Sequence, residues 1–376
     1  MDCELRLPDG FERLVHTAIA EQSDLRADRY LPECAEVAEA LQTALWASLL
    51  REEGQPLAFA LSLHPARLHS LLIPLRNPVP FNASTLAKIS MATTPDVSAV
   101  HVGPGADGLL IYGIDMLSDD VLSVRIEVRG PAVVAVKVGR TTVAFVSGNN
   151  AELIDNEIYG GYFAVNSPLP AGEDPHSDRE RRLLDLARAM HRHDHGGTLL
   201  VLGAKAEEFD AERLAAALEP HYLLSRPFDG LREIEEQEGA ILARLQTETA
   251  GAEARALFSQ LRATEALHSR YVSSVARCTA LDGATVVSSE GALLAFGCKV
   301  RLTNTPSIRL KRPTLAVATR VELADFGGTR HQSAARFVGR HPGSRAIVRS
   351  QDGFVSILRH AQFEAIDCLE HAEWLF

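Results

Sequence analysis

Two glycines, a hydroxyl, an arginine and a histidine fall together in Phe326-Gly327-Gly328-Thr329-Arg330-His331-Gln332-Ser333-Ala334. Thr329 and Gln332 have the T-x-x-Q form of a capping box, so the spacing predicts a helix beginning here. Backbone N–H groups at such an end point outward, and glycine lets a ligand approach closely. The helix dipole adds roughly 0.3–1 kcal/mol of preference for an anion. Arg330 offers a planar donor fork for phosphate oxygens, and His331 can donate to a phosphate or ligate a metal. An ordinary capped helix with an exposed Arg and His would carry the same letters.

The surroundings of this segment are basic. From Lys299 to Arg349 stand eleven Lys and Arg against Glu322 and Asp325, in a chain whose net charge is -11. An anionic ligand is the simplest reason for such a surplus, and a solvated basic face is the other. Upstream, Asp282-Gly283-Ala284 opens the β-like run Ala284-Thr285-Val286-Val287. A carboxylate there can hold Mg²⁺ or Mn²⁺ or accept a hydroxyl proton, as nucleotidyl transfer requires; an Asp-Gly turn is the plainer reading. His191, His193 and His195 with Asp194 are dense enough for a metal. They precede Gly196-Gly197, however, where a helix would end and His would complement its dipole.

These groups must be positioned by a fold. A chain of 376 residues is long for one domain and comfortable as two. Pro168, Pro170, Gly172 and Pro175 mark 166–177 as a linker, so the expected division is 1–165 and 178–376. The first part opens with helical spacing over Phe11–Ala20 and Glu36–Arg51. Alternation then sets in at Leu57 to Leu63 and Val124 to Val128, with further strands at Ser98–Val102, Leu109–Ile114 and Val133–Val146 and a turn at Gly139-Arg140. This predicts a β-rich α+β module. No nucleophile, base and orienter stand in array there, which favours binding or sensing over chemistry.

The second part alternates element types. A capping box at Ser177 to Glu180 starts a helix to about 193, a strand follows at Thr198–Leu202, and another helix is expected near 211–218. A long helical region runs from about 229 to 280. Strands are expected at Ala284–Val287, Ala292–Phe296, Thr314–Thr319, Arg345–Arg349 and Phe354–Leu358, with one helix from Thr329 to about Val338. The expected class is α+β or α/β, a mixed sheet flanked by helices. The segment 229–270, rich in Glu, Gln and Ala, reads as a helical insertion, either a solvated hairpin or a dimer contact.

Taken in order, Leu281-Asp282-Gly283-Ala284-Thr285-Val286-Val287, Ala292 to Cys298 and Gly328-Thr329-Arg330-His331-Gln332-Ser333-Ala334 resemble the diadenylate cyclase (DAC) domain. That family carries a DGA and a GTRHR motif with a strand pair between them. The likeness covers about 178–360, with Gly196 to Gly203 as the first core strand. It implies a mixed β-sheet wrapped by helices and the condensation of two ATP to cyclic di-AMP with release of two pyrophosphates. Two domains would meet face to face, a homodimer or higher oligomer, with Mg²⁺ or Mn²⁺ as cofactor. By the same likeness Asp282 would serve the metal and the attacking hydroxyl, and Gly283 and Ala284 would shape the adenosine pocket. Arg330 and His331 would be catalytic, and Gly328, Thr329, Gln332 and Ser333 would complete the nucleotide site. Gln332 stands where the family has arginine, which removes a full charge and keeps a silent or altered-product nucleotide-binding regulator open. The N-terminal part, through Phe81 to Leu86 and Leu109 to Ile114, resembles the probable sensor domains called DACNV, which implies control by an unknown small-molecule or protein signal.

The remaining composition restricts partners. A pI near 5.7 argues against a nucleic acid polymer. Five scattered cysteines without a C-x-x-C pair indicate neither a disulfide framework nor a zinc site. No basic leader precedes an apolar run, and no stretch approaches roughly 18 apolar residues, so a soluble cytoplasmic protein without a membrane partner is expected.

Overall fold

The computed structural model describes residues 7–23, 31–63, 71–95, 97–116, 124–139, 141–154, 178–193, 195–203, 216–247, 252–314, 317–361 and 365–375. The expected linker 166–177, Arg140, Ser177, Asp194 and most of the helix expected near 211–218 lie outside these residues. The protein is mixed α+β and divides into two compact units, Met1–Asn156 with Trp374–Phe376, and Glu157–Glu373.

In the first unit, α1 (Phe11–Ser23), α2 (Cys34–Ser48) and α3 (Ala83–Ser90) accompany an eight-stranded sheet. A hairpin of β1 (Arg51–Glu52) and β2 (Gln55–Pro56) precedes it. The sheet strands are β3 (Phe59–Leu63), β4 (Leu71–Pro80), β5 (Ser98–Gly105), β6 (Gly108–Met116), β7 (Val124–Gly130), β8 (Val133–Val138), β9 (Thr141–Ser147) and β10 (Asn150–Leu153), in the order β10-β9-β8-β7-β3-β5-β6-β4. Apolar residues of α1 at i, i+4 and i+8 (Phe11, Val15, Ile19) join Val37, Leu41 and Leu45 of α2 over one sheet face, against Leu61, Val100, Ile126 and Val136. Strand β4 carries Pro74, Pro78 and Pro80 and lies at the sheet edge, where a missing N–H is tolerated. The prolines concealed it from the alternation pattern.

The second unit contains α4 (Asp178–Arg192), α5 (Gly230–Thr247), α6 (Ala252–Cys278) and α7 (Thr329–Arg340). Its sheet joins β11 (Gly197–Val201), β12 (Leu218–Glu219), β13 (Tyr222–Phe228), β14 (Ala284–Val287), β15 (Leu293–Val300), β16 (Ser307–Lys311), β17 (Thr319–Val321), β18 (Arg345–Arg349), β19 (Val355–His360) and β20 (Ala365–Leu369). The order is β12-β15-β14-β11-β18-β19-β20-β16-β17, with β13 also on β15; β11 with β14 and β16 with β20 are parallel. Helix α7 packs Ala334, Phe337 and Val338 on one face, against Leu200, Val286, Val348 and Leu358. Helix α4 packs against β18 and α6 against β15.

The strand expected at Thr314–Thr319 differs: β17 begins only at Thr319, and Val317 is 92% exposed. The helical insertion is a hairpin of α5 and α6. Buried Arg182 of α4 pairs with Glu235 of α5 and donates to the Glu290 carbonyl at 2.8 Å, which fixes the base of the hairpin. Its outer face is solvated, with Leu242, Phe258 and Leu267 exposed.

Candidate functional site

The register of three strands brings the chemistry-bearing segments to one end of the second sheet. Leu199 of β11 pairs with Thr285 of parallel β14, so Asp282-Gly283 reaches the same edge as Gly196-Gly197. Gly197 also pairs with Arg349, the last residue of antiparallel β18. Helix α7 begins beside this edge, because a methyl group placed on Gly196 would stand 2.9 Å from Arg330 Nη1 and 3.1 Å from the Arg349 carbonyl oxygen. The Arg330 guanidinium therefore lies across a residue that has no side chain to displace it.

Gly283 is required by its surroundings. Its φ is +102°, and a Cβ there would lie 2.7 Å from the Gly297 carbonyl carbon and 2.9 Å from the Cys298 nitrogen and oxygen. Ala284 pairs with Cys298 and is buried in the sheet core. Asp282 precedes both and is exposed, and among the described residues it has no hydrogen bond or ion pair.

The start of α7 departs from the expected capping box. Gly327 has φ +53° and Gly328 is extended, so the glycines make the turn, Gly328 is the N-cap and no side chain caps the helix. Thr329 is already the first helical residue and is exposed. The first intrahelical bond runs from the Gln332 N–H to the Gly328 carbonyl at 3.1 Å, which leaves the N–H groups of Thr329, Arg330 and His331 ahead of it. Those donors and the dipole are what this end offers an anion. Gln332 instead turns its Nε2 to the carbonyls of Gly327 (3.4 Å) and Ala324 (3.5 Å), and Ser333 Oγ donates back to the Arg330 carbonyl at 3.0 Å.

His331 faces inward. Its Nε2 lies 3.1 Å from Ser356 Oγ of β19, its ring meets Phe326 edge-on, and its ring atoms pack under Gly327. Burial, then the charge of Arg330, pushes its pKa below the usual histidine value, so the ring is neutral at pH 7. Its geometry is that of a wedge beneath the glycine turn.

Residues not legible as a group in the sequence brace this end. His193 Nε2 lies 3.1 Å from Thr279 Oγ1, across 86 residues, and Thr279 in turn packs against Gly197. Burial, followed by the charge of Arg349, lowers the His193 pKa. Arg349, itself buried, donates to the carbonyls of His191 (3.3 Å) and His195 (2.9 Å), tying the end of α4 to the end of β18. His193 is thus held through its ring and His191 and His195 through their backbone carbonyls, and no group of three metal-ligating side chains occurs among the described residues.

The basic surplus of 299–349 is divided in the fold. Arg301 pairs with Glu219 and Arg309 with Asp367, while Arg345 and Arg349 are buried. Arg330 is the cation of this run that the structure sets at the glycine-rich turn.

The first unit is a helix-covered mixed sheet. Residues 26–115 match the family model described as probable sensor domain DACNV. The match takes in α2, α3, β1 to β5 and all but the last residue of β6, and the same sheet continues through β7 to β10. No curated protein matches the chain. Among the described residues no helix is long and apolar enough to cross a membrane.

Proposed function

We propose that the chain is a sensor-coupled diadenylate cyclase, condensing two ATP to cyclic di-AMP and two pyrophosphates. The observation that carries this reading is the meeting, at one sheet end, of an exposed carboxylate on a backbone-locked glycine turn with a glycine-rich helix start bearing Arg330. The N–H groups opening α7 and the Arg330 fork would hold the phosphates, and Asp282 would orient the attacking 3′-hydroxyl and accept its proton. The nucleotide held by a second copy of the chain supplies the other reacting centre, so the reaction needs a face-to-face pair. Mg²⁺ or Mn²⁺ would neutralise charge on the phosphates when bound. A single exposed carboxylate fits such an ion, whose remaining ligands come from phosphate and water. His331, neutral and held by Ser356, supports the turn beneath the phosphates.

A second reading is a nucleotide-binding regulator without turnover, favoured by Gln332, whose amide is engaged with backbone carbonyls. Incubation of the full chain with ATP and Mn²⁺ or Mg²⁺, with Asp282→Asn as control, separates the two. An Asp282-dependent cyclic dinucleotide supports the cyclase. Tight ATP binding with no such product supports the regulator.

A further inference from the structure

The sensor sheet has a second face, opposite its helices, and that face is both polar and buried. The register aligns Thr142 of β9, Lys137 of β8, Arg125 of β7, Ser62 of β3, His101 of β5 and Gly113 of β6 as one continuous rung. Thr142 and Ser62 are fully buried, His101 and Lys137 nearly so. Beside this rung the same face carries the row Phe145, Ala135, Glu127, Ala60, Ala99 and Asp115, with Glu127 standing between the alanines. Phe145 is stacked by Trp374 at 4.2 Å.

Three polar atoms of the rung have no hydrogen-bond partner among the described residues: Thr142 Oγ1, Arg125 Nε and Ser62 Oγ. Such orphans are rare in native interiors and call for an occupant. Glu127 is already committed, to Lys137 at 2.8 Å and Arg129 at 3.1 Å, and Arg125 Nη2 donates to the Gly139 carbonyl at 2.8 Å. What remains open is a guanidinium N–H and two hydroxyls, with a lysine in the same row. With strands about 4.8 Å apart, Ser62 to Thr142 spans roughly 14 Å, the length of a small metabolite.

We infer that this rung is the sensor's ligand site and that it takes a small organic oxyanion, carboxylate- or phosphate-bearing, whose acidic group lies on Arg125 between Ser62 and Lys137. The inference rests on the sensory reading of the first unit and not on turnover at Asp282. Arg125 Nε can only donate and each hydroxyl can donate as well, so a ligand that supplies acceptors satisfies all three, and an oxyanion matches the guanidinium edge.

The test is calorimetric titration of the full chain with inorganic phosphate, glucose 6-phosphate, succinate and citrate, each in wild type and in Arg330→Ala, which removes the phosphate contact of the other unit. Expected is saturable binding of at least one probe that survives Arg330→Ala and Asp282→Asn; whether phosphates or carboxylates respond distinguishes the two oxyanion sources. Because Arg125 variants can fail to fold, the decisive pair is Ser62→Ala and Thr142→Val. Removing an orphaned hydroxyl leaves the melting temperature of the unliganded chain unchanged or higher, while probe affinity falls at least tenfold. Binding that is unaltered in both variants overturns the assignment, as does the absence of binding by all four probes at 10-millimolar-order concentration, in which case the orphans are met by water alone.

Discussion

Replacing Gly283 by alanine tests the claim that the turn bearing Asp282 is fixed by backbone contact. At φ +102° an L-residue costs roughly 1–2 kcal/mol. The added Cβ would overlap the Gly297 carbonyl carbon at 2.7 Å and the Cys298 backbone at 2.9 Å. No side-chain rotation relieves a clash with backbone, so β15 must shift, at a further cost of about 1–3 kcal/mol. A total near 3 kcal/mol in a unit of this size lowers its melting temperature by roughly 6–12 °C. Gly328→Ala is the matched control: it lies at the other motif, its φ is -87°, and a Cβ there meets nothing within 4 Å. Its cost is that of a poorer N-cap, up to about 1 kcal/mol. Differential scanning calorimetry of the full chain reads both. Gly283→Ala melting with the wild type, or Gly328→Ala losing as much as Gly283→Ala, would refute the close-approach argument.

Further outcomes follow from the same geometry. Burial alone would raise the Glu127 pKa, but Lys137, Arg129 and Arg125 overcome it and take the carboxyl from its ordinary 4.5 to about 2. A depressed carboxylate stabilises the fold above its unfolded pKa and loses that contribution as pH falls from 4.5 towards 2, about 3 kcal/mol in all. Glu127→Gln should therefore cost about that much at pH 5 to 6 and progressively less below pH 4.5, and denaturant titrations at stepped pH check it. Arg349→Met removes two charge-assisted bonds and leaves two carbonyls of the His191–His195 segment without that donor, so urea denaturation should show a loss of about 3 kcal/mol. Gln332→Arg gives up only long bonds of 3.4 and 3.5 Å, so stability should move by less than about 1 kcal/mol while ATP affinity by calorimetry rises several-fold.

Strands β14 and β18 were legible because each is a short apolar run between turn residues, and helices α1 and α2 because their apolar letters recur at helical spacing. What the letters could not show was which charges the fold would enclose. Arg345 and Arg349 enlarge the basic surplus of 299–349, yet both are buried. The alternation of Val124, Ile126 and Val128 with Arg125, Glu127 and Arg129 identifies a strand, but it does not tell a solvated polar face from a covered one, and here Glu127 is buried with Arg125 and Arg129 half-buried beside it. The cap at α7 was misplaced by one residue for a related reason. T-x-x-Q scores as a capping box whether or not the preceding glycines already make the turn, and only the dihedral angles of Gly327 and Gly328 decide.

The same dihedral angles narrow the chemistry. Among the motif residues, Gly283 and Ala284 are occupied with holding β14 to β15, His331 with wedging the glycine turn, and Ser333 and Gln332 with local carbonyls. Asp282, Gly328 and Thr329 are exposed, and Arg330 is half-buried across Gly196. Among the described residues, a ligand at this sheet end therefore meets one carboxylate, one guanidinium, the Thr329 hydroxyl and a row of helix-start N–H groups, a set suited to recognising an anion and positioning a hydroxyl. The proposed cyclase reaction suits such a set, because a nucleoside triphosphate would bring both its hydroxyl nucleophile and its anionic electrophile, which a simple phosphate does not.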